Sequence, residues 1–432
     1  MNIGSQSVVR TKDFMGFIDR PQSVWWRKLM FQIHLWVGIL LALYVIAISV
    51  SGCVLIFGRE ITDDAPSIAL QQASSRVALE EVAASARKLH PDYELNGFQN
   101  LSESRKALRV ALEKEMGDPK HKVTLRRVIY FDPHDGHVIT DRDDDFKKNH
   151  PVYAWLQDLH INLLAGRTGL KVNAACGGGL LLLCITGIII WWLGFRVWKQ
   201  ALWIRWKSNW KRINFDSHRA IGFWALAMIC IWATTGLYFG YPQPVRKALK
   251  MVLPFDKGHK QPKTEWKPGD PVLPISDLYR RAHATLPTEQ ISAMYLPDDP
   301  GDSVFFSIIP SRTPRYLHYE ALMLHPSTGA VVHLHDGWKD ARGGDISLGV
   351  MFMLHFASVE SLFLRSIIAL FGITPAVLTV TGILMYWNRS LGKKWKRLKG
   401  LGHKDGRKKP VISEVPVDVP QYTNKLWSGS GR

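Results

Sequence analysis

The chain alternates long apolar stretches with polar regions. Four stretches exceed the about 20 apolar residues that a helix needs to cross a bilayer, and they cover residues 32–57, 172–195, 219–241 and 366–388. The polar region after the first stretch has a helical pattern near 76–90 and alternating runs in 123–141. The region after the third stretch repeats this order, with a helix near 276–285 and alternating runs in 319–336. The pattern predicts an α-helical membrane protein with two α+β domains outside the membrane.

Two of the apolar stretches are copies of each other. Residues 34–58 read HLWVGILLALYVIAISVSGCVLIFG, residues 218–242 read HRAIGFWALAMICIWATTGLYFGYP, and the two align without a gap. Each begins with a histidine, His34 or His218. Glycines follow each histidine at four and eighteen residues; they are Gly38, Gly52, Gly222 and Gly236. An internal repeat of this kind predicts a duplicated architecture.

A second element repeats as well. His160 and His355 each precede an apolar stretch, and a Thr-Gly pair follows each histidine after 26 residues. A straight helix from His160 to Trp192 would be about 48 Å long, against a hydrocarbon core of about 30 Å. We therefore expect an interfacial helix that bends near Gly166–Gly169. Each half of this tandem duplication then holds an outward span, an outer domain, an interfacial histidine helix and a span back.

These landmarks predict a four-helix transmembrane bundle with two periplasmic α+β domains. The predicted segments are an N-terminal segment (1–30), a first span (31–58), a first outer domain (59–150), an interfacial helix with the second span (151–195), a loop (196–217), a third span (218–242), a second outer domain (243–345), an interfacial helix with the fourth span (346–388) and a basic tail (389–432).

The positive charge is confined to one side of this topology. The net charge of +18 lies entirely in residues 1–30, 196–219 and 389–432, which four spans leave on the same side. The positive-inside rule makes that side cytoplasmic and places both termini there. A juxtamembrane basic tail beside anionic lipid explains the charge better than nucleic acid does. We expect membrane lipid, and no nucleic acid, among the partners.

The four repeated histidines predict a pair of cofactor sites. His34 and His218 fall near the cytoplasmic face, and His160 and His355 near the outer face. A pseudo-two-fold axis along the membrane normal would bring each pair together, and two facing imidazoles in a helical bundle are what a bis-histidine b-type haem requires. The four glycines named above would give the haem clearance. Cationic groups placed to receive haem propionates are Arg27, Lys28 and Arg219 inside, and Arg167, Lys171 and Arg365 outside.

Other interpretations remain open. A histidine at a span boundary is often an interfacial polar residue, and the glycines suit helix packing. A proton relay is weakened because the four core spans contain no carboxylate. The chain has no C-x-x-C-H motif, which excludes covalently attached c-type haem. The outer histidines could bind a metal but more simply occupy solvated surfaces; they are His134, His137, His318, His325, His333 and His335.

The repeated segments resemble the PepSY-associated transmembrane-helix family of bacterial inner-membrane proteins. The resemblance rests on FQIHLWVG…SVSG, LHINLLAGRTG…ITGIIIWW, DSHRAIG…TTG and LHFASVESLF…TVTGILMYW, with FDPHDGHVI and LHPSTGAVV in the outer regions. It implies a role in iron uptake, with some members being ferric-siderophore reductases that hold two b-type haems. Carried over, the haem-iron ligands would be His34, His160, His218 and His355. The fourth element departs from the second, because Ser358-Val359-Glu360 replaces a glycine-containing turn.

The sequence thus predicts an oxidoreductase that passes electrons from a cytoplasmic or quinol donor to a periplasmic acceptor. The resemblance favours a ferric siderophore as that acceptor, in the bacterial inner membrane. The alternative is a membrane-anchored PepSY-domain regulator or inhibitor of a periplasmic protease, without redox activity. A transporter that uses the histidines as a proton path is a third hypothesis.

Overall fold

The computed structural model describes residues 25–68, 76–103, 105–117, 123–192, 198–255, 262–309, 320–336, 342–392 and 395. Its α-helices are α1 (Trp25–Leu40), α2 (Ala42–Leu55), α3 (Gly58–Thr62), α4 (Leu79–Leu89), α5 (Phe146–Asn149), α6 (Pro151–Asn162), α7 (Gly166–Trp191), α8 (Trp210–Gly240), α9 (Pro242–Leu249), α10 (Ile275–Thr285), α11 (Gly343–Phe356), α12 (Leu362–Gly372) and α13 (Thr374–Tyr386). Its strands are β1 (Glu94–Gln99), β2 (Leu108–Met116), β3 (Val123–Phe131), β4 (Val138–Asp143), β5 (Gln290–Tyr295), β6 (Val304–Ile309), β7 (Glu320–Leu324) and β8 (Val331–Asp336). The N-terminal segment before residue 25 and the basic tail after residue 395 lie outside the described residues.

Within the described residues, three continuous helices are long and apolar enough to cross a membrane. They are α7, α8 and the helix Leu362–Ser390, in which α12 and α13 run on together. Only 22%, 28% and 17% of their most apolar windows is buried within the chain, so most of each apolar surface faces outward. Such exposed apolar helices satisfy their backbone hydrogen bonds internally, as lipid demands. The predicted second, third and fourth spans correspond to these helices.

The predicted first span is a bent pair of helices. α1 and α2 meet at an angle of 63° around Leu41, whose backbone (φ −88°, ψ 0°) leaves the regular helical range. The side chain of Leu41 is buried and occupies the space beside Gly179 of α7, where a Cβ would lie only 2.8 Å from it. The two helices are long and apolar enough to cross a membrane only when they are taken together. Hydropathy predicted the apolar stretch here but not the break.

The interfacial helices end in left-handed turns. α6 stops at Asn162, and Leu163, Leu164 and Gly166 follow with φ of 52°, 60° and 56°. α11 stops in the same way before Ala357, at φ 48°. The bend predicted near Gly166–Gly169 therefore comes slightly earlier. The linkers differ between the halves, because residues 163–165 join α6 to α7 whereas residues 357–361, which include Ser358-Val359-Glu360, join α11 to α12.

The outer regions form one sheet. Its eight strands are all antiparallel, in the order β4-β3-β2-β1-β5-β6-β7-β8. β1 pairs with β5 through Phe98 and Met294, which lie 196 residues apart and are both fully buried. The two predicted outer domains therefore form a single sheet. This pairing covers an edge strand that each half alone would leave unpaired. Gly97 is required at this junction, since a Cβ there would lie 2.3 Å from the carbonyl oxygen of Met294.

The duplication reappears in the register of the sheet. The bulge between Leu95 and Gly97 in the β1–β2 pair recurs between Ile291 and Ala293 in the β5–β6 pair, 196 residues later. α4 and α10 keep the same offset, and their residues share a single core with both halves of the sheet. The helices predicted near 76–90 and 276–285 and the strand runs at 123–141 and 319–336 are confirmed. The four central strands were not individually predicted.

Candidate functional site: two histidine pairs

The four repeated histidines meet in two pairs. His34 on α1 and His218 on α8 have ring centres 6.4 Å apart and ring planes at 85°; we call them the inner pair, after their predicted depth. His160 on α6 and His355 on α11 have ring centres 6.3 Å apart and planes at 70°; we call them the outer pair. Each pair takes one histidine from each half of the chain. The structure thus brings together the residues that the repeat predicted.

Each histidine is held at Nδ1 by a hydroxyl group from a different helix. His34 Nδ1 lies 3.0 Å from Thr186 Oγ1, and His218 Nδ1 lies 2.9 Å from Thr381 Oγ1. In the outer pair, His160 Nδ1 lies 3.1 Å from Ser51 Oγ, and His355 Nδ1 is bonded to Thr235 Oγ1. The same contact therefore occurs four times.

These contacts fix the imidazole tautomer. Each hydroxyl donates its only proton to a backbone carbonyl four residues earlier in its own helix, at 2.7–2.9 Å. It can then only accept from the imidazole, so Nδ1 carries the proton. His160 Nδ1 also lies 3.1 Å from the carbonyl oxygen of Ile48, a group that can only accept. The Nε2 lone pair is consequently the one left to bind a metal ion, and no hydrogen bond within the described residues uses it.

A glycine beside each of three hydroxyl residues makes room for the ring. A Cβ on Gly187 would lie 3.3 Å from His34 Cε1, and one on Gly382 would lie 3.4 Å from His218 Cε1. A Cβ on Gly52 would lie 2.8 Å from His160 Cε1. The glycine after Thr235, Gly236, has no atom within 4 Å of its Cβ position.

This arrangement corrects the predicted role of two glycines. Gly52 and Gly236 were assigned to the inner site because they project in the same direction as His34 and His218. They lie eighteen residues further along, which is about 27 Å of helix, and so belong to the outer level. Gly38 and Gly222 stay at the inner level but face Leu183 and Leu378, at 3.9 and 3.6 Å.

The four hydroxyl residues were not predicted as site residues. A sequence pattern does mark these residues, because a Ser/Thr-Gly pair occurs once in each of the four apolar stretches, at Ser51, Thr186, Thr235 and Thr381. Their distance from the preceding histidine, converted into helix length, would have placed each one at the opposite end of the span.

Of the six predicted cations, Arg365 is buried and Arg27 and Arg219 are partly buried. Arg27 donates to the carbonyl oxygen of Ile190, at 2.5 Å, and Arg219 donates to Asp216, at 3.3 Å. At the outer level Arg365 is 6% exposed and forms a two-point ion pair with Glu60. The hydrogen bond from Arg365 holds the pKa of Glu60 below its usual range. Lys28, Arg167 and Lys171 are exposed.

The residues present fit a haem at each level. Two imidazoles that share one metal ion, with bonds of about 2 Å, have ring centres about 6 Å apart, as both pairs do. Four imidazoles with Nδ1 protonated and Nε2 unbonded are the ligand form that haem iron takes. The Nε atoms of Arg27, Arg219 and Arg365 are buried and lack a hydrogen-bond partner among the described residues. A carboxylate of the cofactor would fit these atoms, although Arg142 and Arg246 have the same buried Nε, so the feature does not single out the three.

The other histidines make local contacts. Asp132, Asp135 and His137 present possible ligand atoms within 4.8 Å of one another in the β3–β4 turn. Their contacts are those of a turn, because Asp132 accepts from the backbone of His134 and Asp135 accepts from that of His137. His325 accepts from the backbone of Ser327 in the β7–β8 turn. His318 and the side chain of His335 lie outside the described residues.

Comparison with known proteins agrees with the helical architecture. The chain has no match among curated proteins. The family model described as the PepSY-associated TM region matches residues 31–389, from the start of the first span to the end of the fourth. This match covers most of the chain, including both histidine pairs and the sheet. The protein is therefore a multi-pass membrane protein that belongs to the PepSY-associated TM family.

Proposed function

We propose that this protein is a di-haem electron-transfer protein of a bacterial inner membrane. It would pass electrons from the cytoplasmic side to a periplasmic acceptor, with both termini in the cytoplasm. The observation that carries the proposal is the pair of facing imidazoles at each level, with Nδ1 bonded and Nε2 unbonded in all four. A merely interfacial histidine needs no such fixed partner, and none of the four is isolated from a second imidazole.

The spacing of the two levels suits transfer across a bilayer. His218 of the inner pair lies on the single unbroken helix α8. Thr235, which is bonded to His355 of the outer pair, lies seventeen residues further along the same helix. Seventeen residues correspond to about 26 Å of helix, close to the about 30 Å of a hydrocarbon core. A four-helix membrane bundle built from α1/α2, α7, α8 and α12/α13 would hold one pair near each face.

The chain's own residues would perform four tasks at each level. The histidines would hold the haem iron through their Nε2 atoms, and the Ser/Thr hydroxyls would fix the imidazole orientation and strengthen its basicity. The small residues beside the rings would keep the cofactor face open. Arg27 and Arg219 at the inner level, and Arg365 at the outer level, would neutralise propionate charge. The bound haem would supply one-electron chemistry between Fe(III) and Fe(II).

A ferric siderophore is the acceptor that family membership favours. The eight-stranded sheet, built from two PepSY-like halves, would stand on the periplasmic side and hold it. Reduction would release the iron, since Fe(II) is held more weakly than Fe(III) by hard oxygen ligands. The electron donor would be a cytoplasmic protein or a membrane quinol.

Haem content tests the proposal directly. Protein purified in mild detergent should show a Soret band and split α/β bands on dithionite reduction, and a pyridine haemochrome assay should find about two haems per chain. A His34→Ala variant should retain about one haem, whereas His283→Ala, an exposed histidine on α10, should retain both. Absence of the bands would refute electron transfer and leave the regulator hypothesis. Full haem retention in His34→Ala would refute the inner assignment.

The acceptor is tested separately. Reduced protein mixed anaerobically with a ferric siderophore should return to the oxidised spectrum as an Fe(II) chelator develops its colour. The iron-free siderophore is the control and should leave the protein reduced. Reduced protein that is unchanged by ferric siderophores would contradict the acceptor while leaving the di-haem assignment intact.

A further inference from the structure

An apolar cavity lies beside α8, and none of the four paired histidines lines it. Its volume is about 340 Å³, and its lining comes from the loop before α8, from α8 itself and from the region where α12 meets α13. The lining residues are Leu202, Trp203, Ile204, Trp206, Ala220, Ile221, Trp224, Ala225, Leu370, Phe371 and Thr374. Almost all of this surface is apolar. The hydroxyl of Thr374 is bonded to the carbonyl of Phe371, and the indole N–H of Trp224 is bonded to that of Leu202.

Three arginines gather around one buried carboxylate next to this cavity. The side chain of Asp216 is 0% exposed, and it pairs with Arg205 at 3.0 Å, Arg212 at 3.1 Å and Arg219 at 3.3 Å. One carboxylate leaves two positive charges uncompensated. Arg205 and Arg212 remain 49% and 39% exposed, so their guanidinium groups still reach solvent or lipid headgroups. Arg205 lies between the cavity residues Ile204 and Trp206.

An apolar cavity beside a cluster of positive charges matches a ligand with an apolar chain and an anionic group. We propose that the cavity and the arginine cluster bind one anionic phospholipid, with an acyl chain in the cavity and the phosphate on Arg205 and Arg212. Trp203 and Trp206 are 67% and 71% exposed, which suits the membrane interface, where Trp is enriched. Basic pockets between helices on the cytoplasmic side bind anionic headgroups such as cardiolipin. The assignment uses the orientation proposed above but does not depend on haem.

A quinone fits the cavity less well. Quinone oxygens need hydrogen-bond donors that point into the cavity, and the donors of Thr374 and Trp224 are already used within the protein. The arginines instead offer charge, for which a phosphate is the matching group. Asp216 holds these arginines in place, so the headgroup would meet a preformed site.

Lipid retention and thermal stability together test the assignment. Wild-type protein purified in mild detergent should carry about one anionic phospholipid by native mass spectrometry, and added phosphatidylglycerol should raise its Tm while phosphatidylcholine should not. Arg205→Gln with Arg212→Gln should lower phosphatidylglycerol binding by about tenfold or more. Lys207→Gln with Lys211→Gln removes the same charge from the same segment without touching Asp216 and should bind as wild type.

A variant in the cavity tests the proposal independently of the arginine variant, which could fail to fold. Ala220→Leu fills the cavity without changing charge, and it should also abolish the phosphatidylglycerol-dependent rise in Tm. Equal binding by wild type and both of these variants would overturn the proposal. A quinone found in place of the phospholipid, or equal stabilisation by phosphatidylcholine, would also overturn it. Haem content, measured on the same samples, should stay unchanged, so this failure is distinguishable from failure of the proposed function.

Discussion

The inner and outer pairs have nearly the same ring separation but are built on different kinds of helix. His34 and His218 lie within α1 and α8, where neighbouring turns hold them on both sides. His160 and His355 lie at the ends of α6 and α11, two residues and one residue before the helix stops. The position of an inner histidine therefore follows from the path of a span. The position of an outer histidine depends on side-chain contacts that hold a short helix in place.

The two pairs also differ in symmetry. At the inner pair the hydroxyl distances are 3.0 and 2.9 Å, and the glycine clearances are 3.3 and 3.4 Å. At the outer pair His160 has Gly52 against its ring, and it has a backbone acceptor in Ile48 as the inner histidines have in Leu183 and Leu378. His355 instead has the rings of Phe239 and Phe356 at 5.5 and 5.3 Å. Both pairs are built from the same repeated segments. The contacts of the two histidines are alike at the inner pair and differ at the outer pair.

Adding one methyl group at Gly52 should have the largest effect. In Gly52→Ala the new Cβ would lie 2.8 Å from His160 Cε1, so the ring must move away from its ligand position. Most of the outer haem should be lost, leaving about one haem per chain by the haemochrome assay. Gly236→Ala is the matched control, because nothing lies within 4 Å of its Cβ position, and it should keep both haems. Equal loss in the two variants would mean that the outer pair is symmetric after all.

Removing a hydroxyl should have an intermediate effect. Thr186→Val and Thr381→Val each remove the hydroxyl acceptor of an inner Nδ1–H, and we expect haem affinity at that level to fall by about tenfold. The rings of His34 and His218 keep a backbone hydrogen bond, to Leu183 and Leu378 respectively. The two effects should be equal, because the inner contacts are equal. Thr379→Val is the control, since its hydroxyl bonds only to Pro375 in its own helix. Haem titration of the apoprotein measures these affinities.

The same substitution should have unequal effects at the outer pair. Ser51→Ala should cost less than Thr235→Val, because His160 keeps the carbonyl of Ile48 as an acceptor. Identical losses would show that the Ile48 contact does not hold the ring. A larger loss in Ser51→Ala would reverse the comparison.

Sequence reasoning succeeded where a feature follows from period or repeat. Hydropathy predicted the spans, and matched spacing predicted which histidines would share a level, because a helix converts residue number directly into depth. It failed where two distant segments must meet. Nothing in β1 or β5 alone shows that they pair across the two halves, although Gly97 permits their close approach.

The bend at Leu41 shows a second limit. α1 and α2 contain no proline at the break and keep hydrogen bonds on both sides of it, from Leu41 to Val37 and from Val45 to Leu41. The partner that accommodates the bend is Gly179 on α7. Apolar periodicity reports that a stretch is helical, whereas the bend depends on packing against a helix over a hundred residues away.

Substitution of Asn173 should have the smallest effect of those considered, and it should affect the outer pair without affecting the inner pair. The Asn173 amide donates to the carbonyls of His160 and Ile161, both at 2.8 Å, and accepts from Tyr44 at 2.7 Å. It thereby satisfies two carbonyls at the end of α6 that have no partner in the helix. The residue 195 positions later is Ile368, so the second half has no equivalent.

Asn173→Leu should therefore shift the outer level alone. Interhelical hydrogen bonds in membranes contribute about 0.6 kcal/mol each, so losing two shifts the outer midpoint by at most roughly 50 mV, the value reached when the whole loss falls on one oxidation state of a one-electron couple. Spectroscopic redox titration should show one midpoint potential displaced and the other unchanged. Tyr44→Phe removes only the bond to Asn173 and should move the same midpoint by less. A shift of both midpoints would mean that Asn173 supports the packing of the whole helical region, because a contact specific to α6 cannot reach the inner pair.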